Sequence, residues 1–350
     1  MTTSSDYNEK TTEIKRIGWF FPVVFSVVIS TIISKATIHW LDFEWPLSLV
    51  FINYFGVYFL ISWFVRKYNA TSNTQDIDKE KHPAYGWPML APIAKLGKFA
   101  ALFTYYPSTL LSLLNPFLLY QQIRQLVGQG IINGRIKRNP ENFTNFQSKT
   151  RYRLPFNNEW LIYHGGHTPA TSHSWNVLTQ RYAYDFVMAD DNFSRHKSKG
   201  NHVKDYYCYG QDIVAAADGE VVKVVDGLSD GFFVGYFVVD FTAREMAGNH
   251  IIIKHAEGEY GFYAHLLANS IKPKVGDKVC QGQYLGQCGF SGNGTEPHLH
   301  FHLQDGKSFY HSIGLPVKFN DLRVNGKLVE KEFIIERGTR VKHNEVGHCS

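Results

Sequence analysis

The chain has 350 residues, 15% of them aromatic and only 19% charged, and a formal net charge of +5 at pH 7. Soluble proteins average about 25% charged residues, so apolar sequence must be concentrated somewhere, and so modest a charge gives no reason to expect a nucleic-acid partner. The four cysteines (Cys208, Cys280, Cys288 and Cys349) include no CxxC pair, which excludes a disulfide scaffold and a cysteine-built zinc site.

After a tail at 1–16, two uncharged runs fill 17–66: IGWFFPVVFSVVISTIIS at 17–34 and WPLSLVFINYFGVYFLISWFV at 45–65. Each is long enough to cross about 30 Å of hydrocarbon as a helix, and no small-residue cleavage site precedes the second run. A polar, basic loop follows at 67–98. Residues 99–127 open with FAALFTYYPSTLLSLLNPFLLY, in which Pro107 and Pro116 each remove a helix hydrogen bond. This segment is expected to be either a third, kinked transmembrane helix or a helix lying in the membrane interface. Basic residues crowd 66–98, while the loop at 35–44 has only Lys35, so 35–44 is expected outside and 1–16 and 66–98 inside. Three crossings then put the rest of the chain outside and two leave it in the cytoplasm. The count does not choose between them, because the linker at 128–155 is itself basic.

Beyond 155 short Val/Ile/Tyr/Phe runs alternate with glycine: IVAAADGEVVKVVDG (213–227), FVGYFVVDF (233–241), NHIIIKH (249–255) and YGFYAHL (260–266). They predict strands, with Asp218-Gly219 as a hairpin turn. The fold class expected for 156–315 is an all-β antiparallel domain preceded by transmembrane α-helices. A C-terminal extension at 316–350 holds one strand-like piece, EFIIERG. Cys280 and Cys288 flank a glycine-rich turn and are either a pair in an oxidising compartment or small buried thiols. A lipoyl-carrier-like hairpin fold would need a lysine at a hairpin tip, and none is singled out.

EPHLHFHLQDG, 296–306, sets His298, His300 and His302 at alternate positions. On a strand these share one face and Leu299, Phe301 and Leu303 the other. A histidine face turned into a cleft suits a metal or a proton shuttle. His265 sits in apolar FYAHLL, and Asp185 stands among aromatics in YAYDFVM, where an unpaired carboxylate is costly to bury. Each taken singly reads most simply as structural; together they form a constellation that a structural role does not explain.

The stretch GFYAHL, followed by VGDKVCQGQYLGQCGFSGNGTEPHLHFHL, resembles the signature of the M23 (LytM/lysostaphin-type) zinc metallopeptidases, over roughly 160–310. The resemblance implies a catalytic zinc ion (Zn2+), with Asp185 similar to the family's carboxylate ligand and His300 to its second-histidine ligand. His265 and His298 match the catalytic histidines that are not ligands. One position departs. The family places its first ligand four residues before the aspartate, where this chain has Arg181, and a guanidinium does not ligate zinc. His164, His167 and His173 lie upstream, and His173, the nearest, is expected to replace the missing ligand. Arg181 pairs with a carboxylate or sits near the substrate, and His302 supports the zinc cluster or is solvated.

The implied reading is a multi-pass protein of the cell membrane with its catalytic domain outside the cytoplasm. As a zinc endopeptidase it would hydrolyse peptide bonds of peptidoglycan, with the lipid bilayer as its other partner and no nucleic acid. The alternative, motivated by Arg181, is a degenerate domain that binds the wall or regulates a partner hydrolase.

Overall fold

The structure, a computed structural model, describes residues 21–41, 46–71, 101–139 and 146–344. The tail at 1–16 and nearly all of the basic loop at 67–98 lie outside the described residues. The chain divides into two units, Met1–Lys79 and Glu80–Ser350.

In the first unit, α1 (Phe21–Leu41) and α2 (Leu47–Thr71) pack on each other. The usual distribution of side chains is inverted. Ser26, Ser30 and Ser62 are buried, whereas Val27, Ile32, Phe51, Ile52, Trp63 and Phe64 are exposed. Asn53 donates to the Ser30 carbonyl at 3.2 Å, tying the two helices by a polar bond between small residues, as helices do where the surroundings are apolar. Pro22–Trp40 is long and apolar enough to cross a membrane, and the apolar stretch of α2, Leu49–Val65, is shorter.

In the second unit the described part of the third apolar segment is not one continuous helix. A π-helical turn at Ala101–Tyr105 leads into α3 (Tyr106–Ser112), and α4 (Pro116–Arg138) starts afresh. The prolines are the reason. Each sits in the first turn of its helix, where a missing N–H costs nothing, and the Asn115 side chain caps α4 by accepting from Phe117 N at 2.9 Å. Residues 128–138 of the expected linker are therefore helical.

The strands are β1 (Trp160–His164), β2 (Tyr184–Val187), β3 (Asp212–Val214), β4 (Gly219–Val225), β5 (Asn249–Ala256), β6 (Glu259–Leu266), β7 (Lys278–Val279), β8 (Tyr284–Gln287), β9 (Leu299–Gln304), β10 (Gly314–Leu315), β11 (Leu322–Val324), β12 (Lys327–Val329) and β13 (Arg340–His343). The main sheet runs β12-β11-β13-β1-β2-β9-β6-β5-β4-β7, with β10 also on β9, and β3 and β8 form a second small sheet. Every strand pair is antiparallel, so the all-β antiparallel expectation holds. Leu299, Phe301 and Leu303 on one face of β9 join Tyr184, Phe186, Ile251 and Tyr263 in the principal core. The opposite face carries a smaller cluster around Ile252, Phe262 and Phe309.

Several local expectations fail for identifiable reasons. Asp218-Gly219 joins no hairpin, because β3 pairs with β8 and β4 with β5 and β7. FVGYFVVDF forms no strand. Its backbone groups are taken by the helices: Thr104 Oγ1 donates to Phe237 O, Asn115 Nδ2 to Phe241 O, and Val239 N to Ser108 Oγ. Within EFIIERG only Phe333 makes a bridge, to Phe319. The domain also overruns its expected limits of 156–315. Tyr152 and Leu154 lie in the core before it, and Val317, Phe319, Leu322 and Val341 after it, with β13 paired to β1. Cys280 and Cys288 are free thiols, the first exposed and the second buried.

Candidate metal centre and cleft

Asp185 is placed by alternation along β2. Tyr184 and Phe186 point into the core, stacked at 5.6 Å, which turns the carboxylate to the other side of the sheet. There the register sets Asp185 opposite His300 on β9 and opposite His164 on β1. His300 Nδ1 lies 2.9 Å from Asp185 Oδ1. His173 reaches in from the loop between β1 and β2, its Nδ1 3.4 Å from Oδ2, with 37% of its side chain open to solvent at the rim. His298 Nε2 is 3.7 Å from Oδ1. Burial alone would raise the Asp185 pKa, but the imidazoles of His173 and His300 outweigh it and hold the carboxyl well below the usual range.

A hydrogen-bond chain determines which nitrogen of His300 is bare. Gln304 donates its Nε2 to Gly306 O, which turns its Oε1 toward His302 Nε2 at 2.9 Å. His302 Nε2–H must donate to that oxygen, leaving its Nδ1 as the acceptor for His300 Nε2–H at 3.0 Å. Neutral His300 then presents an unprotonated Nδ1 toward Asp185. Two lone pairs facing each other need a cation or a proton between them. His302 is fully buried beneath the cluster, and burial, with His300 beside it, lowers its pKa to about 3.

His265 and His298 form the other side, with ring centroids 4.6 Å apart. Each donates Nδ1–H to a backbone carbonyl at 2.8 Å, Ser291 O and Glu296 O respectively, so in the neutral rings Nε2 is the unprotonated nitrogen. His265 adopts φ +61°, a left-handed conformation that costs a non-glycine residue about 1 kcal/mol or more and that marks sites held in place by their surroundings. Burial, reinforced by His298 and His300, drives its pKa far below the ordinary imidazole value.

These groups line a cleft of about 600 Å³ whose opposite wall includes Tyr105, Phe237 and Val239. Tyr105 precedes α3 and stacks on Phe237 at 5.1 Å, so the helical segment builds part of the wall. Arg181 is elsewhere. Its Nε donates to Trp175 O at 3.1 Å and its guanidinium lies over the Trp175 ring. The structure thus brings together His173, Asp185, His265, His298 and His300, adds His302 behind them, and leaves Arg181 out.

Sequence reasoning considered His164 but did not assign it to the site. Its ring centroid is 4.7 Å from that of His173, its Nδ1 is buried without a hydrogen-bond partner, and burial together with His173 lowers its pKa to about 3. The signal was its place at the end of the apolar run WLIYH, but only the β1–β2 register reveals its neighbour. Glu296, held by Arg195 in a buried ion pair of 2.9 Å, also lines the cleft.

Asp185, His173 and His300 are donors of the types zinc takes. Two ligands about 2.1 Å from a tetrahedral zinc lie about 3.4 Å apart; Asp185 is 3.4 Å from His173 and at the shorter, hydrogen-bond distance of 2.9 Å from His300. The bare Nδ1 of His300 and its hydrogen-bonded Nε2 have the polarity of a ligand histidine with its outer partner. Among the described residues, no group of three or more His, Cys, Asp or Glu side chains is arranged so that it could hold a metal ion as it stands.

Residues 199–311 match the family model for Peptidase family M23, and the chain carries a domain of that family there. The match includes His265, His298 and His300 but begins after His173, Arg181 and Asp185. A 95-residue stretch is 33% identical to the cell division protein DipM of Caulobacter vibrioides, covering 27% of this chain and 13% of that protein. A 57-residue stretch is 42% identical to the peptidoglycan DD-endopeptidase ShyA of Vibrio cholerae, covering 16% of this chain and 13% of that protein. The matched stretches therefore span a small part of either relative's length. Among solved structures, a zinc-containing peptidase from Vibrio cholerae is similar at TM-score 0.28, with 20% identity, over 49% of this chain and 43% of that one. The catalytic domain of the antimicrobial peptidase lysostaphin from Staphylococcus simulans is similar at TM-score 0.25, with 20% identity, over 49% of this chain and 90% of that domain.

Proposed function

We propose that the protein is a membrane-anchored zinc endopeptidase that cuts peptide bonds in peptidoglycan. The observation that carries this is Asp185 lying between the imidazoles of His173 and His300, with His265 and His298 offering unprotonated Nε2 atoms at the same cleft. His173, Asp185 and His300 are the residues that would hold the ion. When bound, zinc lowers the pKa of water to about 7 and polarises a carbonyl. His298 is then the group able to accept a proton from the attacking water and return it to the leaving amine, and as imidazolium to donate to the oxyanion. His265, held neutral by its burial, is placed beside it to orient the water through Nε2. His302 and Gln304 hold His300 in the tautomer that ligation requires. The substrate class follows from the M23 domain and from the relatives it matches. Anchoring is supported by α1 and by the inverted packing of α1 on α2.

The rival is a degenerate domain that binds the wall, motivated by Arg181 at the position where the family has a ligand. His173 at 3.4 Å from the carboxylate favours the enzyme. Metal analysis of the purified full chain is expected to find one zinc per chain, and muropeptides are expected to be cut by wild type but not by His298→Ala. A zinc-free protein that leaves muropeptides intact would establish the binding module instead.

A further inference from the structure

We infer that α4, together with α3, lies in the surface of a lipid bilayer, with its apolar side in the acyl region and its polar side bonded to the catalytic domain. The argument begins with the direction in which α4 faces. On a soluble protein an amphipathic helix turns its apolar stripe inward. Here Leu119, Tyr120, Ile123, Leu126, Val127 and Ile131 recur at helical spacing and are each 39% to 61% exposed. The buried face is mixed: Leu118 and Ile132 are fully buried on it, beside the amides of Gln121 and Gln129. Gln121 donates to Arg244 O at 2.8 Å and accepts from Met246 N at 2.8 Å. Gln129 donates to Asn176 O and accepts from Leu178 N, both at 2.8 Å. Gly128 lets the helix come so near that a Cβ there would stand 1.9 Å from the Tyr310 carbonyl oxygen.

These bonds decide between the two expectations for this segment. A helix whose polar face is committed to loops of a folded domain does not cross the bilayer by itself. Its opposite face still presents a row of half-exposed apolar side chains, and exposed apolar patches mark interaction surfaces. Leu110 and Leu114 extend that exposure into α3 and the turn after it.

A bilayer is the occupant that the charges and the rest of the chain favour. Residues 106–138 contain no Asp or Glu, and α4 ends in Arg135, Lys137 and Arg138, so nothing in the segment repels anionic headgroups. The same chain carries an apolar helix long enough to cross a membrane. The inference rests only on the anchoring half of the proposed function. Because Tyr105 and Phe237 belong to the cleft wall, it also places the cleft at the membrane surface.

The test uses the full chain in vesicles of phosphatidylglycerol and phosphatidylethanolamine, on a Cys280→Ser, Cys349→Ser background. Nitroxide labels are attached singly at Ile123→Cys, Val127→Cys, Val27→Cys and Leu328→Cys. At 123 and 127, collisions with oxygen should exceed collisions with a nickel chelate, at a depth of about 5–10 Å below the headgroups; at 328 the order should reverse. Chelate access at 123 and 127 equal to that at 328 overturns the inference. So does a depth near the bilayer centre, which means spanning, or spin coupling that unlabelled protein dilutes away, which means a second copy covers the face. Val27 separates the two failures. If Val27 is lipid-exposed while 123 and 127 are aqueous, anchoring survives without this inference; if all three are aqueous, both fall.

Discussion

His300 shows how much of the site depends on hydrogen atoms assigned through neighbours. Its Nδ1 is bare only because Gln304 dictates the tautomer of His302 and His302 that of His300. His302→Ala is expected to weaken zinc binding about 10–100-fold, the usual effect of losing an outer partner. His173→Ala should weaken it further and Arg181→Ala not at all, read by competitive titration against a chelator; unchanged affinity in His173→Ala removes that residue from the ligand set. A second prediction concerns acid. His250 is buried, with Nδ1 bonded to Gly248 O and its ring stacked on Phe262. Burial, then the charge of Lys223, lowers its pKa to about 4. The unfolded chain takes up this proton near pH 6.5 and the folded chain does not. The stabilisation is therefore complete above about pH 6.5 and is lost as pH falls toward 4, by about 1.4 kcal/mol per pH unit. Urea titrations across that window should show a shallower fall for His250→Phe than for wild type. Equal slopes would mean that another group takes up the proton.

At the scale of elements, the seating of α4 can be tested with two glycines of opposite effect. Gly128 meets the Tyr310 backbone, whereas a Cβ at Gly130 would have nothing within 4 Å. Gly128→Ala should force the helix outward and cost about 1–3 kcal/mol as overpacking, more than the gain in helix propensity returns. Gly130→Ala should stabilise by roughly 0.5–1 kcal/mol, because only the propensity changes. Thermal unfolding of the pair checks this, and stabilisation by both would show that α4 does not sit on the domain as described. The loop at 233–241 is shaped by other residues of the helical segment, Thr104, Ser108 and Asn115. Its β-type composition is real, but helix side chains satisfy its backbone before any strand can.

For the whole molecule, the inference that α4 is docked on the domain would leave the side of the membrane to be set by the first unit. An even number of crossings keeps the catalytic domain on the side of the N-terminal tail, and an odd number separates them. The peptidoglycan reading requires the domain outside. External protease should therefore remove a tag placed after Ser350 in intact cells, while a second tag before Met1 reports the parity. A protected C-terminal tag with intact zinc binding would redirect the enzyme toward a protein substrate in the cytoplasm.

The sequence by itself determined the elements whose patterns are local. Alternation placed Leu299, Phe301 and Leu303 in the core and the histidines opposite, and the apolar runs marked α1 and α2. Residue chemistry and family likeness together named His265, His298, His300 and Asp185. Only the tertiary structure decided what depends on contacts between distant segments. The β1–β2–β9 register set His164 and His300 beside Asp185, the Gln304–His302 relay assigned the bare nitrogen, and β13 joined the C-terminal residues to the main sheet. The orientation of α4 is the clearest case. Its apolar stripe can be read from spacing alone, but a stripe does not say which way it faces; that depends on the amides of Gln121 and Gln129 finding backbone partners in distant loops, at Arg244 and Met246 and at Asn176 and Leu178.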